Sequence, residues 1–162
     1  MKREILLLGT PSLYEASPAV AREELPDLAG AVRDLHDTLM DFRAGYGAGR
    51  AIAAPQIGLQ KRLIYMFIDK PTVFLNPVLS FPDDETMEVM DDCMSFPHLI
   101  VKVRRRRRCV INYRDLDWQE REMRLEGDLS ELLQHEYDHL DGILATMRAV
   151  DNKSFYLKGW KP

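Results

Sequence analysis

QHEYDHLDG, residues 134–142, is the segment of this sequence that most constrains its fold. It contains the pattern His-Glu-x-x-His, and a helix through it would place the imidazoles of His135 and His139 one turn apart on the same face. Asp128 can act as the N-cap of this helix, and Gly142 is typical of a C-terminal stop. We therefore predict a helix between these two positions, with both histidines facing one side.

Glu136 lies on the same side as the histidines, in an apolar stripe that Leu132 continues. An ionised carboxylate is costly in such surroundings unless a cation or an incoming proton uses it. Two neutral imidazoles beside a carboxylate that can take a proton from water are what a hydrolytic metal site requires. The alternative is a surface helix with two solvated histidines, and the pattern alone does not choose between them.

Composition and charge narrow the class of protein. A chain of 162 residues with 46% hydrophobic content suits one domain with one core, so we expect a single domain over residues 1–162. The net charge of -4 argues against general nucleic-acid binding. The apolar run at residues 5–8 is too short for a signal-peptide core or a membrane span. We expect a cytoplasmic protein without membrane contact, in which a cysteine near histidines binds metal more readily than it forms a disulfide.

The hydrophobic pattern predicts an α+β fold. Residues 5–8 are expected to be extended, and apolar residues at steps of three and four predict an amphipathic helix over about 26–43. Five segments then have the composition of strands: 63–68, 73–75, 101–103, 109–113 and 122–125. Residues 115–118 should turn the last two into a hairpin. Helix, several short strands and helix, without βαβ alternation, is the order of an α+β domain.

The roles of four further features cannot be assigned when each feature is taken alone. Cys93 can be a small buried residue or a metal ligand, but the adjacent carboxylates of Asp91 and Asp92 argue against a nucleophilic thiolate. Gln56, between a proline and a glycine, is either an ordinary turn residue or an amide donor fixed by a rigid turn. His36 is expected to be packed or solvated. The arginines at 104–108 should alternate between strand faces as solvated and paired side chains, with an RNA or ribosome contact as the alternative.

Three motifs, in this order, resemble the peptide deformylases. They are GRAIAAPQ at residues 49–56, DDCMS at residues 91–95, and the QHEYDHLDG segment itself. The tripeptide at residues 75–77 also looks like the family, and the resemblance extends over roughly residues 5–144. It implies a deformylase-like single domain, with short antiparallel strands packed around a central metal-binding helix and an amphipathic helix nearer the N-terminus. The activity implied is metal-dependent removal of the formyl group from formyl-methionyl peptides of nascent proteins, with release of formate.

The resemblance also implies roles for individual residues. The metal ligands would be Cys93, His135 and His139, the general acid/base would be Glu136, and the oxyanion donors would be Gln56 and the backbone N–H of Met94. Family members use ferrous iron in the cell and accept zinc or nickel, and one thiolate with two imidazoles is compatible with each of these. Ribosome contact is left open, because the longer C-terminal helix of some members is not expected here, and the oligomeric state is not predicted.

Three positions depart from the family pattern. Asp91-Asp92 replaces Glu-Gly, Ala51 replaces a glycine, and Met94 replaces a leucine. The resemblance would pair Arg104 with Asp91. Asp92 is the larger change, because a turn glycine often supplies a positive φ, and two carboxylates beside a ligand should weaken the Lewis acidity of a bound metal.

Three other functions are weighed against this one. The first is a deformylase-like hydrolase of another N-formyl or N-acyl amine, and the second is an inactive metal-binding homologue. A zinc protease is the third, but neither His nor Glu follows Gly142 to complete its ligand set.

Overall fold

The computed structural model describes residues 1–159, so the last three residues of the expected 1–162 domain lie outside the described residues. These described residues form two α-helices, α1 (Leu25–Tyr46) and α2 (Asp128–Leu140). The strands are β1 (Ala51–Ala53), β2 (Leu63–Phe67), β3 (Pro71–Ser80), β4 (Thr86–Asp92), β5 (Leu99–Arg106), β6 (Arg108–Arg114), β7 (Glu120–Glu126) and β8 (Phe155–Leu157). Short 3₁₀ turns cover Pro11–Tyr14, Arg22–Glu24, Ala54–Ile57 and Ala145–Arg148.

The strands form two antiparallel sheets, in agreement with the expected α+β class. One has the order β1-β2-β3-β6-β7 and the other the order β4-β5-β8. Four of the five predicted strand segments fall within β3, β5, β6 and β7, and the fifth, 63–68, extends one residue beyond β2; β1, β4 and β8 were not predicted. β6 and β7 form the expected hairpin, in which Arg114 pairs with Glu120 and the Asp115 carboxylate accepts backbone hydrogen bonds within the turn.

Residues 5–8 are not part of either sheet, but they connect two segments that are far apart in the sequence. The Leu6 N–H donates to the Gln56 carbonyl at 2.8 Å, and the Leu8 N–H donates to the Ser95 carbonyl at 2.8 Å. The N-terminal segment therefore holds the 3₁₀ turn at residues 54–57 and the segment after β4 next to each other.

Helix α1 is amphipathic, and its apolar side forms one wall of the core. Leu28, Leu35, Leu39 and Phe42 are buried and pack with residues of β1 and β2. The helix ends at Tyr46, and Gly47 caps it with a φ of 66°, a left-handed conformation that glycine adopts readily.

Helix α2 lies between the two sheets, packed against β1, β5 and β7. Its N-cap is Gly127, not the predicted Asp128, whose carboxylate instead lies 2.9 Å from Arg50 Nη1. The predicted stop is present, since the helix ends at Leu140 and Gly142 follows with a φ of 71°. A Cβ at Gly142 would lie 2.6 Å from the Tyr14 carbonyl, so this position requires glycine.

The sequence predicts a mixture of solvated and paired side chains for the arginine run, and each of its five arginines pairs with an acidic side chain. The predicted pairing of Arg104 with Asp91 is wrong. Arg104 binds Glu88, directly opposite it on β4, and the next residue, Arg105, points inward and binds Asp91. The remaining three arginines bind acids at residues 83–85. Within residues 1–159, no helix is long and apolar enough to cross a bilayer.

Candidate metal centre

Three side chains from two parts of the chain form a buried cluster. Cys93 follows β4, whereas His135 and His139 lie one turn apart on α2, and their ligand atoms all lie within 4.8 Å of one another. His139 Nε2 is 3.3 Å from Cys93 Sγ and 3.2 Å from His135 Nε2. One sulfur and two imidazole nitrogens facing each other in a buried space suit a divalent cation such as zinc or ferrous iron. The donor set therefore fits a metal ion.

The other nitrogen of His135 faces a carboxylate. Nδ1 of His135 lies 2.8 Å from Asp91 Oδ1, which leaves Nε2 directed to the cluster. Burial would raise the pKa of Asp91, but the interactions with His135 and then Arg105 outweigh it and hold the pKa at about 2. The carboxylate is therefore ionised and can fix the orientation of the imidazole, as partners of metal ligands commonly do.

Asp91 belongs to a longer chain of buried charges. Arg105 Nη2 donates to Asp91 at 3.0 Å, and its Nη1 donates to Asp138. Arg148 donates to the same Asp138 carboxylate from Nε and Nη2, each at 2.7 Å. The sequence motifs did not indicate this arrangement, which joins β4, β5, α2 and the turn at Ala145–Arg148 behind the cluster.

Glu136 is next to His135 on α2 and is almost completely buried, with 4% of its surface exposed. Its Oε2 atom has no hydrogen-bond partner in the described part of the chain. Burial raises the pKa of Glu136 to about 7, although His135 acts in the opposite direction. A carboxyl group with this pKa can both accept and donate a proton near neutral pH.

Gln56 and Met94 lie beside Cys93, Met94 as the next residue in the chain and Gln56 through its side-chain amide. Gln56 is held in the turn at Ala54–Ile57, where its Oε1 accepts from the Ala53 N–H at 2.9 Å. Its Nε2 is thereby directed to Cys93 Sγ, at 3.5 Å, and Ser95 Oγ, at 3.2 Å. The structure thus brings together all six residues that the sequence had singled out.

A cavity of about 320 Å³ opens onto this group. Gln56, Cys93, Met94, His135 and Glu136 line it. So do charged residues that were not predicted to belong to the site, namely Arg50, Glu131 and Lys158. Glu131 could have been found from its position four residues before His135, on the same face of α2.

The concern about Asp92 is not supported by the backbone. The non-glycine residues with a positive φ among residues 1–159 are Asn76 and Trp118, so the main chain at Asp92 does not need a glycine. Asp92 is a regular strand residue opposite Ile100, and its carboxylate lies 2.9 Å from Lys158 Nζ. The sequence had suggested no partner for this charge.

The comparisons with known proteins agree with this arrangement. The family described as "Polypeptide deformylase" matches residues 2–155. A peptide deformylase from Dictyoglomus thermophilum is 37% identical over 154 residues, covering 93% of this chain and 95% of that protein. The crystal structure of a peptide deformylase from Synechococcus elongatus in complex with actinonin superposes with a TM-score of 0.85 at 25% identity, covering 94% and 81% of the two chains.

A further solved structure is informative about ligands of the family. The peptide deformylase of Acinetobacter baumannii, bound to Met-Ala-Ser, has a TM-score of 0.82 at 25% identity and covers 91% of this chain and 98% of its own. Sequence, fold and the arrangement of the cluster thus all lead to one assignment: this chain belongs to the polypeptide deformylase family.

Proposed function

We propose that this protein is a peptide deformylase, a metal-dependent hydrolase that removes the formyl group from formyl-methionyl peptides of nascent proteins and releases formate. The observation that carries the proposal is the cluster of Cys93, His135 and His139 beside a cavity that Glu136 also lines. Three ligand atoms that converge on one point, with a proton-exchanging carboxyl group beside them, are what amide hydrolysis by a metal enzyme needs.

Cys93, His135 and His139 would hold one divalent metal ion, on the metal-binding helix α2 and the segment after β4. Ferrous iron is the ion we propose for the cell, with zinc or nickel as substitutes, because this donor set suits all three. When bound, the ion supplies a Lewis acid that polarises a carbonyl group and makes a water molecule more acidic. Asp91 keeps His135 oriented toward it.

The chain's own side chains supply the proton transfers. Glu136 would take a proton from the attacking water, because its raised pKa makes it a base suited to neutral pH. It would return this proton to the nitrogen of the departing amine, so that formate and a free N-terminus are released.

Two donors would stabilise the negative charge that develops on the formyl oxygen. Gln56 Nε2 is fixed by the bond between its Oε1 and Ala53, so its direction is set before the substrate arrives. The Met94 N–H donates no hydrogen bond to another group within residues 1–159, and it is thus free for the substrate. Both residues line the cavity.

The substrate enters through the same cavity. The peptide Met-Ala-Ser bound to the relative from Acinetobacter baumannii supports a peptide as the substrate of this chain. Hydrolysis of a different N-formyl or N-acyl amine is the second candidate, and the charged lining by Arg50 and Glu131 favours it.

Some parts of the proposal concern the whole protein. Residues 1–162 would form one catalytic domain, which the packing of α2 against strands of both sheets supports for the described part. We place the reaction in the cytoplasm, where nascent chains begin. A ribosome contact through the arginines at residues 104–108 receives little support, because each of them is engaged by an acidic side chain.

Formate release from formyl-Met-Ala-Ser tests the proposal directly. Protein purified anaerobically should release one formate per peptide, and chelation should abolish the reaction until ferrous iron, nickel or zinc is restored. Acetyl-Met-Ala-Ser serves as the control for general amide hydrolysis. Metal-loaded protein that leaves formyl-Met-Ala-Ser intact while it hydrolyses another acyl amine would replace our assignment with the second candidate.

A further inference from the structure

Residues 5–8 form an extended segment that joins neither sheet, and we call this segment the strap. Ile5 and Leu6 pack against two different core clusters. The second half of the apolar run is not buried in this way, since Leu7 and Leu8 are 56% and 39% exposed. Burial of side chains therefore does not account for the place of the whole strap.

Hydrogen bonds fix the chain on both sides of the strap. Before it, the Arg3 N–H donates at 2.9 Å to the hydroxyl of Thr38, a residue of α1 that is 2% exposed. At its other end, the Leu7 carbonyl accepts from the Thr10 N–H at 2.9 Å, and the 3₁₀ turn at Pro11–Tyr14 follows directly. The strap is therefore a connection between two anchored points.

The main chain of the strap binds the two segments that carry the proposed oxyanion donors. The Leu6 N–H donates to the carbonyl of Gln56 at 2.8 Å. The Leu8 N–H donates to the carbonyl of Ser95, the residue after Met94, also at 2.8 Å. N–H groups two residues apart in an extended chain point the same way and lie about 7 Å apart. The strap thus sets the distance between the backbone of one donor residue and the neighbour of the other.

A second link between the same two segments is formed by a side chain. Gln56 Nε2 donates to Ser95 Oγ at 3.2 Å and to Cys93 Sγ at 3.5 Å. An amide nitrogen has two N–H groups, so one of these contacts must be given up when Nε2 donates to the formyl oxygen. The main-chain bonds of the strap use neither oxyanion donor. They can therefore keep the two segments together while the negative charge develops.

We propose that the strap positions the active site: the N–H groups of Leu6 and Leu8 hold the two oxyanion donors at the separation at which both can bind one oxyanion. The inference rests on the proposed deformylase function and adds two positioning residues to it, neither of which lines the cavity. Donors that are already in place need no rearrangement as charge develops, and a displacement of about 1 Å can cost about 100-fold in rate.

Leu8→Pro removes one of the two strap bonds selectively. Residues 7–10 form a turn with Gly9 in its third position at a φ of 99°, and proline is common at the second position of such a type II turn. The substitution should therefore fit the turn, but it deletes the N–H and places a ring carbon against the Ser95 carbonyl. Leu8→Ala is the matched conservative variant, because it shortens the same side chain and keeps the N–H.

The experiment measures kcat and KM for formyl-Met-Ala-Ser in zinc-loaded wild type, Leu8→Pro and Leu8→Ala, and in the same three proteins carrying Gln56→Ala. We expect Leu8→Pro to lower kcat about 10–100-fold with little change in KM, and Leu8→Ala to retain most of the rate. With Gln56→Ala present, the proline should cost less than about threefold, because the formyl oxygen can then follow the single remaining donor. Hydrogen exchange at residues 54–57 and 93–96 is a second readout and should be faster in Leu8→Pro than in Leu8→Ala.

Two results would overturn the inference while wild type releases formate. Equal kcat and equal exchange in wild type and Leu8→Pro would mean that the strap does not position the donors. A loss of kcat in Leu8→Pro that is the same with and without Gln56 would assign the strap a general structural role. If Leu8→Pro does not take up one zinc per chain, Leu6→Pro removes the other bond and is judged by the same results. Wild type that releases no formate would overturn the proposed function, and the inference with it.

Discussion

Arg105→Met should destabilise the protein far more than the same change at the neighbouring Arg104. The Arg105 side chain is 3% exposed and lies between the buried carboxylates of Asp91 and Asp138, which are 4% and 8% exposed. Methionine fills a similar volume but donates no hydrogen bond. The substitution would therefore leave a buried negative charge without its partner, which is among the costly changes in a protein interior.

The structure indicates how large the effect should be. Asp138 would keep its two bonds to Arg148, whereas Asp91 would keep its contact with His135 but lose its guanidinium partner, so the uncompensated charge is mainly that of Asp91. Breaking a buried pair by removing one partner costs about 3–5 kcal/mol. Arg104 and Glu88 are 60% and 47% exposed, and an exposed pair of this kind contributes at most about 1 kcal/mol.

The assay is urea unfolding of the two variants and wild type, all loaded with zinc and followed by circular dichroism. The slope of free energy against urea should be similar in the three proteins, so that the midpoints report stability. At about 2–4 °C per kcal/mol for a chain of this size, the Arg105 variant should also melt roughly 6–20 °C lower. Equal midpoints for the two variants would refute the reasoning, because they would mean that the buried charges do not depend on Arg105.

Three further outcomes concern the metal and the acid/base residue. Cys93→Ser and His139→Ala should each lower both metal content and thermal stability, because metal binding is linked to folding. One metal ion per chain in both variants, measured by elemental analysis, would contradict the proposed site. Glu136→Gln should retain the metal but lose about 10²–10⁴ in kcat, and a wild-type rate of formate release would require another base. Iron-loaded protein should lose activity in air or peroxide, because ferrous iron and the Cys93 thiolate can both be oxidised. Zinc-loaded protein should not lose activity through oxidation of the metal. Stable activity after long aeration of the iron form would contradict ferrous iron as the native ion.

Some local features did not follow from the sequence because they are set by tertiary contacts. β1 and β8 have three residues each, too few for a periodic pattern, and β4 is mainly exposed, so it lacks the apolar alternation of a half-buried strand. Propensity placed the N-cap at Asp128, but the N-cap is Gly127, with a φ of 63°, and Asp128 pairs with Arg50 instead.

The sequence also could not predict which of the two neighbours, Arg104 or Arg105, is buried. Strand alternation correctly predicts that adjacent arginines lie on opposite faces, but the sequence does not say which face is buried. The register of β5 against β4 decides this, since it places Glu88 opposite Arg104 and turns Arg105 toward the interior. A shift of one residue would exchange the two roles.

What the sequence by itself determined is the chemistry available at the site. The spacing of His135 and His139 on a helix sets two ligands on one face, and the motifs around Gln56 and Cys93 indicated the remaining groups. Only the tertiary structure decided how they meet: the N-terminal segment connects the turn at Gln56 to the segment after β4, and α2 packs between the sheets against both. The tertiary structure also determined which residues line the cavity and which residue pairs with each buried charge. Local periodicity indicates which residues of an element share a face, whereas contacts between residues far apart in sequence depend on how whole elements pack.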